Sequence, residues 1–415
     1  MTLIDRGKNM TALQAVLLEE MDAEDATRLI NKAKMLWDEI PNPSGPPATA
    51  QGLLLGLIQS GKTAALITSI ALAADNGYKL FVVLTSDNLL LYQQTIDRLN
   101  ENLPALQIAG KEGWDEQIPD MMFSLRSPHN AVVLVATKNA TVLANLLNVL
   151  AQIQRRLATN LPAALIIDDE ADQASLDTQT SKRANNPAIE PGRINDLITQ
   201  VRSSFPLHAY LQVTATPQAL FLQDLTHAYR PEFTILIEPG KGYVGGQDFF
   251  SLVSGQSAQL IRPIEQFDVD TTIVSSGNTV PDSLQNALCT FFVGATIKSL
   301  IASTKKERAL ARFSFLCHLS EKKDVHTVAR VAISSYYMTL RQGLAADVGS
   351  VARLTVEAQL RSAYNDLLTT LRGDVPDFDN ILKELQSFIT STDIQILNSD
   401  RPQNQPQYSR RYNIF

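Results

Sequence analysis

The sequence predicts a doubly wound α/β protein, a parallel sheet buried between two layers of helices. Three observations carry that expectation. Six short apolar runs, at 53–58, 80–84, 132–135, 164–167, 209–213 and 233–237, alternate with stretches of helical spacing. Runs this apolar suit strands covered on both faces, as in a parallel sheet flanked by helices. Two of them end in chemistry, the first in a glycine-bearing loop and the fourth in a cluster of acids. Open α/β sheets bind ligands at the carboxyl edge of their strands, where these residues fall.

Ahead of the first strand, residues 11–40 show helical apolar spacing through Leu13, Val16, Leu17, Met21, Leu29, Ile30, Met35 and Leu36. Pro41-Asn42-Pro43-Ser44-Gly45-Pro46-Pro47 breaks the pattern and reads as a linker. The expected domains are a helical N-terminal segment and linker at 1–47, the sheet lobe at 48–240, a connecting segment and helix at 241–302, and an incomplete, α-rich second lobe at 303–415. Residues 241–280 look irregular and 283–302 helical. The second lobe should hold a strand at 313–318, a helix running to 344, helices at 352–372 and 376–390, a short strand at 394–397 and another starting at 412.

Bulk properties narrow the function classes. At 45% hydrophobic and 19% charged residues, the composition is that of a globular protein. No apolar run is expected to reach bilayer length, and residues 1–10 lack the apolar core of a signal peptide. Cys289 and Cys317 form neither a metal spacing nor a disulfide framework. The expected location is the cytoplasm, with no membrane partner. A net charge of −7 rules out a basic body, so any nucleic-acid groove must be a local stripe. Lys305, Lys306, Arg308 and Arg312 form one basic cluster and Gln154-Arg155-Arg156 another; both read as solvated helix faces.

The first run leads into Gly56-Leu57-Ile58-Gln59-Ser60-Gly61-Lys62-Thr63, and a helical stretch begins at Ala64. This is G-x-x-x-x-G-K-[ST] between a strand and a helix, the P-loop pattern. A triphosphate needs many donors at short range. Glycines at 56 and 61 let backbone N–H groups turn inward, and the helix N-terminus adds partial positive charge. Gln59, Ser60, Gly61 and Ala64 complete the cradle, Lys62 reaches the β- and γ-phosphates, and the Thr63 hydroxyl ligates magnesium. ATP and Mg2+ are the expected cofactors.

The fourth run ends in Asp168-Asp169-Glu170-Ala171-Asp172. Alone, these acids also suit a solvated turn; downstream of a P-loop they suit a metal-and-water site. Asp169 is expected to hold magnesium and Glu170 to orient and deprotonate the attacking water, which makes Lys62, Asp169 and Glu170 the catalytic set. Asp168 remains open as the innermost, metal-holding acid.

Thr214-Ala215-Thr216-Pro217 follows the fifth run. Alone, it is an N-cap threonine before a first-turn proline. After the P-loop and the Asp169-Glu170-Ala171-Asp172 box, it resembles the third motif of superfamily-two helicases. That resemblance implies a RecA-like lobe in which the Thr214 and Thr216 hydroxyls serve the γ-phosphate site and link it to motion between two lobes. A narrower resemblance rests on Gln59-Ser60 ahead of Gly61-Lys62-Thr63, on Asn88, Gln94-Thr95 and Arg98, on the box through Gln173-Ala174-Ser175, and on Gly242-Tyr243-Val244-Gly245-Gly246. Together these look like the Z-one domain, a family of helicase-like ATPases of bacterial defence systems, over roughly residues 50–340. The resemblance implies an ATP-hydrolysing motor on nucleic acid, with DNA favoured and RNA left open, in anti-phage defence beside a nuclease or a second ATPase. Residues 89–93 depart from the family's arginine-bearing version. The family's later L-x-R-G-L-T and Q-M-G-R-x-x-G-Y-R segments do not occur in these 415 residues. The expectation is a truncated chain, weakly active alone for want of the second-lobe arginine.

Two other functions stay open, a small-molecule P-loop kinase and a nucleotide-gated interaction module. By analogy Thr137-Lys138-Asn139 touches a nucleic-acid backbone; it is equally an ordinary helix start. His318, His326, Trp37 and Trp114 read as packing or surface residues. If Lys62 holds the phosphates, Lys62→Ala abolishes nucleotide binding; calorimetry finding unchanged ATP affinity in that variant would refute the site.

Overall fold

A computed structural model describes residues 3–128, 130–159, 161–173, 175, 192–221, 229–250, 260–262, 280–302, 311–319, 323–371, 373–397 and 410–415. Two compact units divide the chain, 1–245 and 246–415.

The first unit runs α1 (Lys8–Glu20), α2 (Ala23–Glu39), β1 (Ala48–Gly56), α3 (Lys62–Asp75), β2 (Leu80–Thr85), α4 (Leu89–Asn102), β3 (Gln107–Ala109), α5 (Trp114–Arg126), β4 (Val132–Thr137), α6 (Ala140–Leu157), β5 (Ala164–Asp169), α7 (Arg193–Ser203), β6 (Leu207–Thr214) and β7 (Phe233–Ile237). Its seven strands pair in the order β3-β4-β2-β5-β6-β1-β7, every pair parallel. This is the α/β sheet flanked by helices that the apolar runs predict. Every residue of β2, β4 and β6 is buried, as strands covered on both faces require. Strand β3 was not expected. At three residues it is too short for a periodic signal, and it exists through its pairing with β4.

Alternation along the strands divides the core in two. Phe81, Val83, Leu165 and Ile167 share one cluster with residues of α1, α2, α3 and α4. Leu80, Val82, Ala164 and Ile166 share the other with α5, α6 and α7. Trp114 is a core residue of that second face, its Nε1 donating to the Ala109 carbonyl at 3.2 Å. Trp37 packs edge-on to Tyr78.

The N-terminal helices are part of this body. Helix α1 starts at Gly7 with no side-chain cap of its own. Asp75, at the end of α3, supplies one from afar: its Oδ1 accepts from the Asn9 amide at 3.1 Å and its Oδ2 from the Met10 amide at 2.9 Å. Glycine is needed at position 7, because a Cβ there would lie 2.2 Å from the Asp75 carboxyl carbon.

The second unit is mostly helical, with α8 (Asp282–Ile301), α9 (Lys323–Ala345), α10 (Val351–Leu368) and α11 (Phe378–Phe388). Its small parallel sheet orders β8 (Phe313–Phe315), β10 (Tyr412–Ile414) and β9 (Thr392–Ile394), with β10 in the centre. Strand β9 sits two residues before its expected start. Against the expectation that no run reaches bilayer length, α8 is long and apolar enough to cross a membrane by length and composition. It holds Leu288, Cys289, Phe292 and Val293 in the centre of this unit's core, as a helix buried among others does. The expected basic residues Lys305, Lys306 and Arg308, and most of the irregular stretch 241–280, lie outside the described residues.

Removing the distant cap should be costly. Asp75→Ala is expected to lower stability by about 1–2 kcal/mol, read as a lower thermal midpoint by calorimetry.

Candidate functional site

Strand β6 lies between β1 and β5, with Leu55 opposite Thr214 and Asp169 opposite Val213. All three motifs singled out in the sequence therefore leave the carboxyl edge of neighbouring strands. The 56–63 loop and the acids stand two strand spacings apart, about 10 Å.

Strand β1 ends at Gly56, so Leu57 and Ile58, the last residues of the first apolar run, form an exposed crest in the loop. Two residues bend the chain back into α3, Gln59 at φ 58° and Gly61 at φ 96°. Glycine at 61 carries its left-handed backbone without strain. Gly56 is held by space: a Cβ there would meet the Ser60 Oγ at 2.7 Å and the Lys62 Cγ at 2.8 Å. The N-terminus of α3 has no side-chain cap, leaving its first-turn amides for a ligand. The Ser60 hydroxyl is buried without a partner. Lys62 arches over the loop, its Nζ donating to the Gly56 carbonyl at 3.1 Å and the Leu57 carbonyl at 2.8 Å. Behind the crest, the Tyr243 hydroxyl donates to the Ile58 carbonyl at 2.6 Å. The segment carrying Tyr243 is strapped to α2 by Lys32–Glu238 at 2.8 Å and by Arg28 donating to the Pro239 carbonyl at 3.0 Å.

Asp168 and Asp169 are neighbours in sequence and opposites in space. Asp169 shares its side of β5 with Ile167, the side of α3. Asp168 shares the other side with Ile166. Asp168 is fully buried and its carboxylate is taken: Oδ1 accepts from Lys138 Nζ and from Ser175 Oγ, each at 3.0 Å, and Oδ2 accepts from the Tyr210 hydroxyl. The expectation of Asp168 as a metal-holding acid is corrected here, because its oxygens are spent inside the protein. Lys138 is corrected likewise. Only 4% exposed, it is closed to a nucleic-acid backbone.

Glu170 adopts φ 53°, left-handed and non-glycine. Such a conformation costs on the order of 1–3 kcal/mol. Its neighbours hold it there: Lys138 Nζ donates to the Asp169 and Glu170 carbonyls, each at 2.7 Å, and the Ala171 amide donates to the Val213 carbonyl at 3.1 Å. Asp172 accepts from Thr214 Oγ1 at 2.6 Å and from Thr216 Oγ1 at 2.5 Å. The two threonines, expected to serve the γ-phosphate site, tie the acidic turn to β6.

A cavity of about 680 Å³ opens between these parts. Gln59, Gly61, Lys62, Thr63 and Ala64 line one side, and Asp169 and Glu170 another. Gly56, Ser60, Asp168, Thr214 and Thr216 do not line it. A face of α4 also lines it, with Leu91, Gln94, Thr95 and Arg98 at helical spacing, together with Thr85 and Ser86. Gln94, Thr95 and Arg98 entered the sequence reading only as family markers; the four-residue face was the signal that marked them as a wall.

Charges across the cavity are tuned against each other. Burial pushes the Lys62 ammonium below its ordinary range, and Asp169, Glu170 and Asp172 pull it back up. Burial raises the Asp169 carboxyl and Glu170 adds to the rise, opposed by Lys138. A half-buried carboxylate beside a second acid suits a cation. Among the described residues no three His, Cys, Asp or Glu side chains converge on a metal position. Magnesium does not need such a cage, since it is commonly held by one or two carboxylates together with substrate phosphates.

The Z1 domain, the Z-one family of the sequence resemblance, has a family model that matches residues 283–415, about a third of the chain and wholly inside the second unit. The match supports a resemblance to that family. It overlaps the expected 50–340 span only at 283–340 and does not reach the 56–63 loop or the acids. No curated protein matches the chain.

Asp169 carries a raised carboxyl in the folded chain, so its charge destabilises the fold above that raised value and the penalty fades as pH falls through it. Asp169→Asn should therefore raise the thermal midpoint of the metal-free protein at neutral pH by about 2 °C. The unaltered chain should gain stability on adding Mg2+ with nucleotide, and the variant much less. Scanning fluorimetry with and without Mg2+ checks both.

Proposed function

We propose that this protein binds ATP with magnesium at the 56–63 loop and hydrolyses it, as the engine of a helicase-like motor on nucleic acid. One observation carries the reading: Lys62 and Thr63 from one strand end and Asp169 and Glu170 from another line a single cavity. The uncapped first turn of α3 and the raised Asp169 carboxyl suit a triphosphate and a divalent cation.

The loop amides and Lys62 hold the β- and γ-phosphates. Thr63 and Asp169 would hold magnesium, which when bound neutralises charge on the phosphate oxygens. Glu170 orients a water and takes its proton as the water oxygen attacks the γ-phosphorus. The bond from that phosphorus to the β–γ bridging oxygen breaks, giving ADP and phosphate. Lys62 stabilises the charge that builds on the bridging oxygen. The ties from Asp172 to Thr214 and Thr216 are where a change at the γ-phosphate reaches β6.

The nucleic-acid part rests on the order of the three motifs and on the family resemblance they carry. The anti-phage role, and a nuclease or second ATPase as partner, rest on the resemblance alone. The expected result is single-turnover hydrolysis of γ-labelled ATP by the unaltered chain. Glu170→Gln should slow it by about 100-fold or more with ATP affinity kept. Hydrolysis at an unchanged rate in that variant would rule out the assigned base. ATP binding without hydrolysis in the unaltered chain would favour the nucleotide-gated module, and phosphoryl transfer to an alcohol or acid would favour the kinase. A DNA titration falling steeply with salt, with DNA-stimulated hydrolysis, supports the motor.

A further inference from the structure

Lys138 follows β4, two strands from β5, and reaches over the end of β2 to the acidic turn. Its side chain is 1% exposed. An ammonium has three N–H donors. Here each meets one acceptor: Asp168 Oδ1 at 3.0 Å, the Asp169 carbonyl at 2.7 Å and the Glu170 carbonyl at 2.7 Å. Two of the three partners are backbone oxygens of the residues that carry Asp169 and Glu170 into the cavity. Glu170 sits in a backbone conformation it would leave if released. The counter-charge, Asp168, is fixed in turn by Ser175 and Tyr210.

From this geometry we infer that Lys138 is a positioning residue for hydrolysis: its three-way clamp sets where the Glu170 carboxylate points. The inference rests on the hydrolytic reading above and goes beyond it. Lys138 does not line the cavity. Its loss should therefore slow the chemical step and spare ATP binding. A displacement of about 1 Å at a reacting group is enough for a 100-fold loss.

The obvious variant, Lys138→Met, leaves the Asp168 carboxylate buried without its cation and is expected to lower the thermal midpoint. Adding Asp168→Asn removes that unpaired charge, so the double variant should recover much of the midpoint. It still lacks the contacts to the Asp169 and Glu170 carbonyls. The test measures ATP affinity by calorimetry with the β,γ-imido analogue and Mg2+, and single-turnover hydrolysis of γ-labelled ATP, in the full chain. Expected for the double variant is an affinity within about three-fold of the unaltered chain and a rate lower by about 100-fold. Lys138→Arg keeps the charge, but its planar fork cannot meet three convergent acceptors, so it should fold and remain slow. A double variant that hydrolyses at the unaltered rate, or affinity and rate lost together in a folded Lys138→Arg chain, would overturn the role. Absence of hydrolysis in the unaltered chain would overturn the hydrolytic reading itself, and this role with it. Hydrolysis that depends on Glu170 but not on Lys138 would overturn this role alone.

Discussion

The ion pair between Lys138 and Asp168 is the contact on which the candidate site depends. Both side chains are sealed from water, a position charges occupy at high desolvation cost. An apolar pair of similar volume would serve stability as well or better. What an apolar pair cannot do is donate to two backbone carbonyls at once. Removing either partner leaves a buried charge alone, at about 3–5 kcal/mol. The arrangement makes sense where the geometry of the acidic turn matters more than the energy it costs.

Alternation along β5 explains why the two aspartates part company. Asp168 takes the side of the sheet already occupied by Tyr210 and becomes structure. Asp169 takes the side of α3 and becomes part of the cavity. One residue of register divides an internal counter-ion from a candidate metal ligand, and β6 between β1 and β5 sets the width of the gap. Shifting the strand by one residue would exchange the two roles, so the apolar Ala164, Leu165, Ile166 and Ile167 hold the chemistry as well as the core.

Much of this was legible in the sequence. Six apolar runs mark the six longer strands of the large sheet, most strongly in β2 and β4, which are buried on both faces, and least in β7, an edge strand with alternate residues exposed. The glycine loop and the acids could be placed at strand ends from the same runs. The choice between Asp168 and Asp169 stayed open in the sequence, because only the fold shows that Ile167, and with it Asp169, takes the side of α3. Lys138 was not legible. A lysine at the end of an apolar strand looks like a solvated helix start, and only the fold brings it over β2 to β5. The contacts of Thr214 and Thr216 to Asp172 were not legible either, since only the fold brings the two strand ends together. In the second unit, strands of three residues leave no periodic trace, so β9 shifts by two positions from its expected start.

The cavity is assembled from groups held away from their comfortable states. Lys62 is pushed toward losing its proton, Asp169 toward keeping one, and Glu170 stands in a left-handed backbone. Each of these departures raises the free energy of the ligand-free protein, and the packed sheet beneath carries the sum. An anion against the α3 amides restores the reason for Lys62 to stay charged, and a cation at Asp169 does the same for the carboxylate. The free energy released by relieving these strains adds to the intrinsic affinity, so ligand binding and folding stability are linked through the same residues. Because the relief on the lysine side needs an anion and on the acid side a cation, neither alone satisfies the site. A phosphate chain that carries its own divalent metal satisfies both at once.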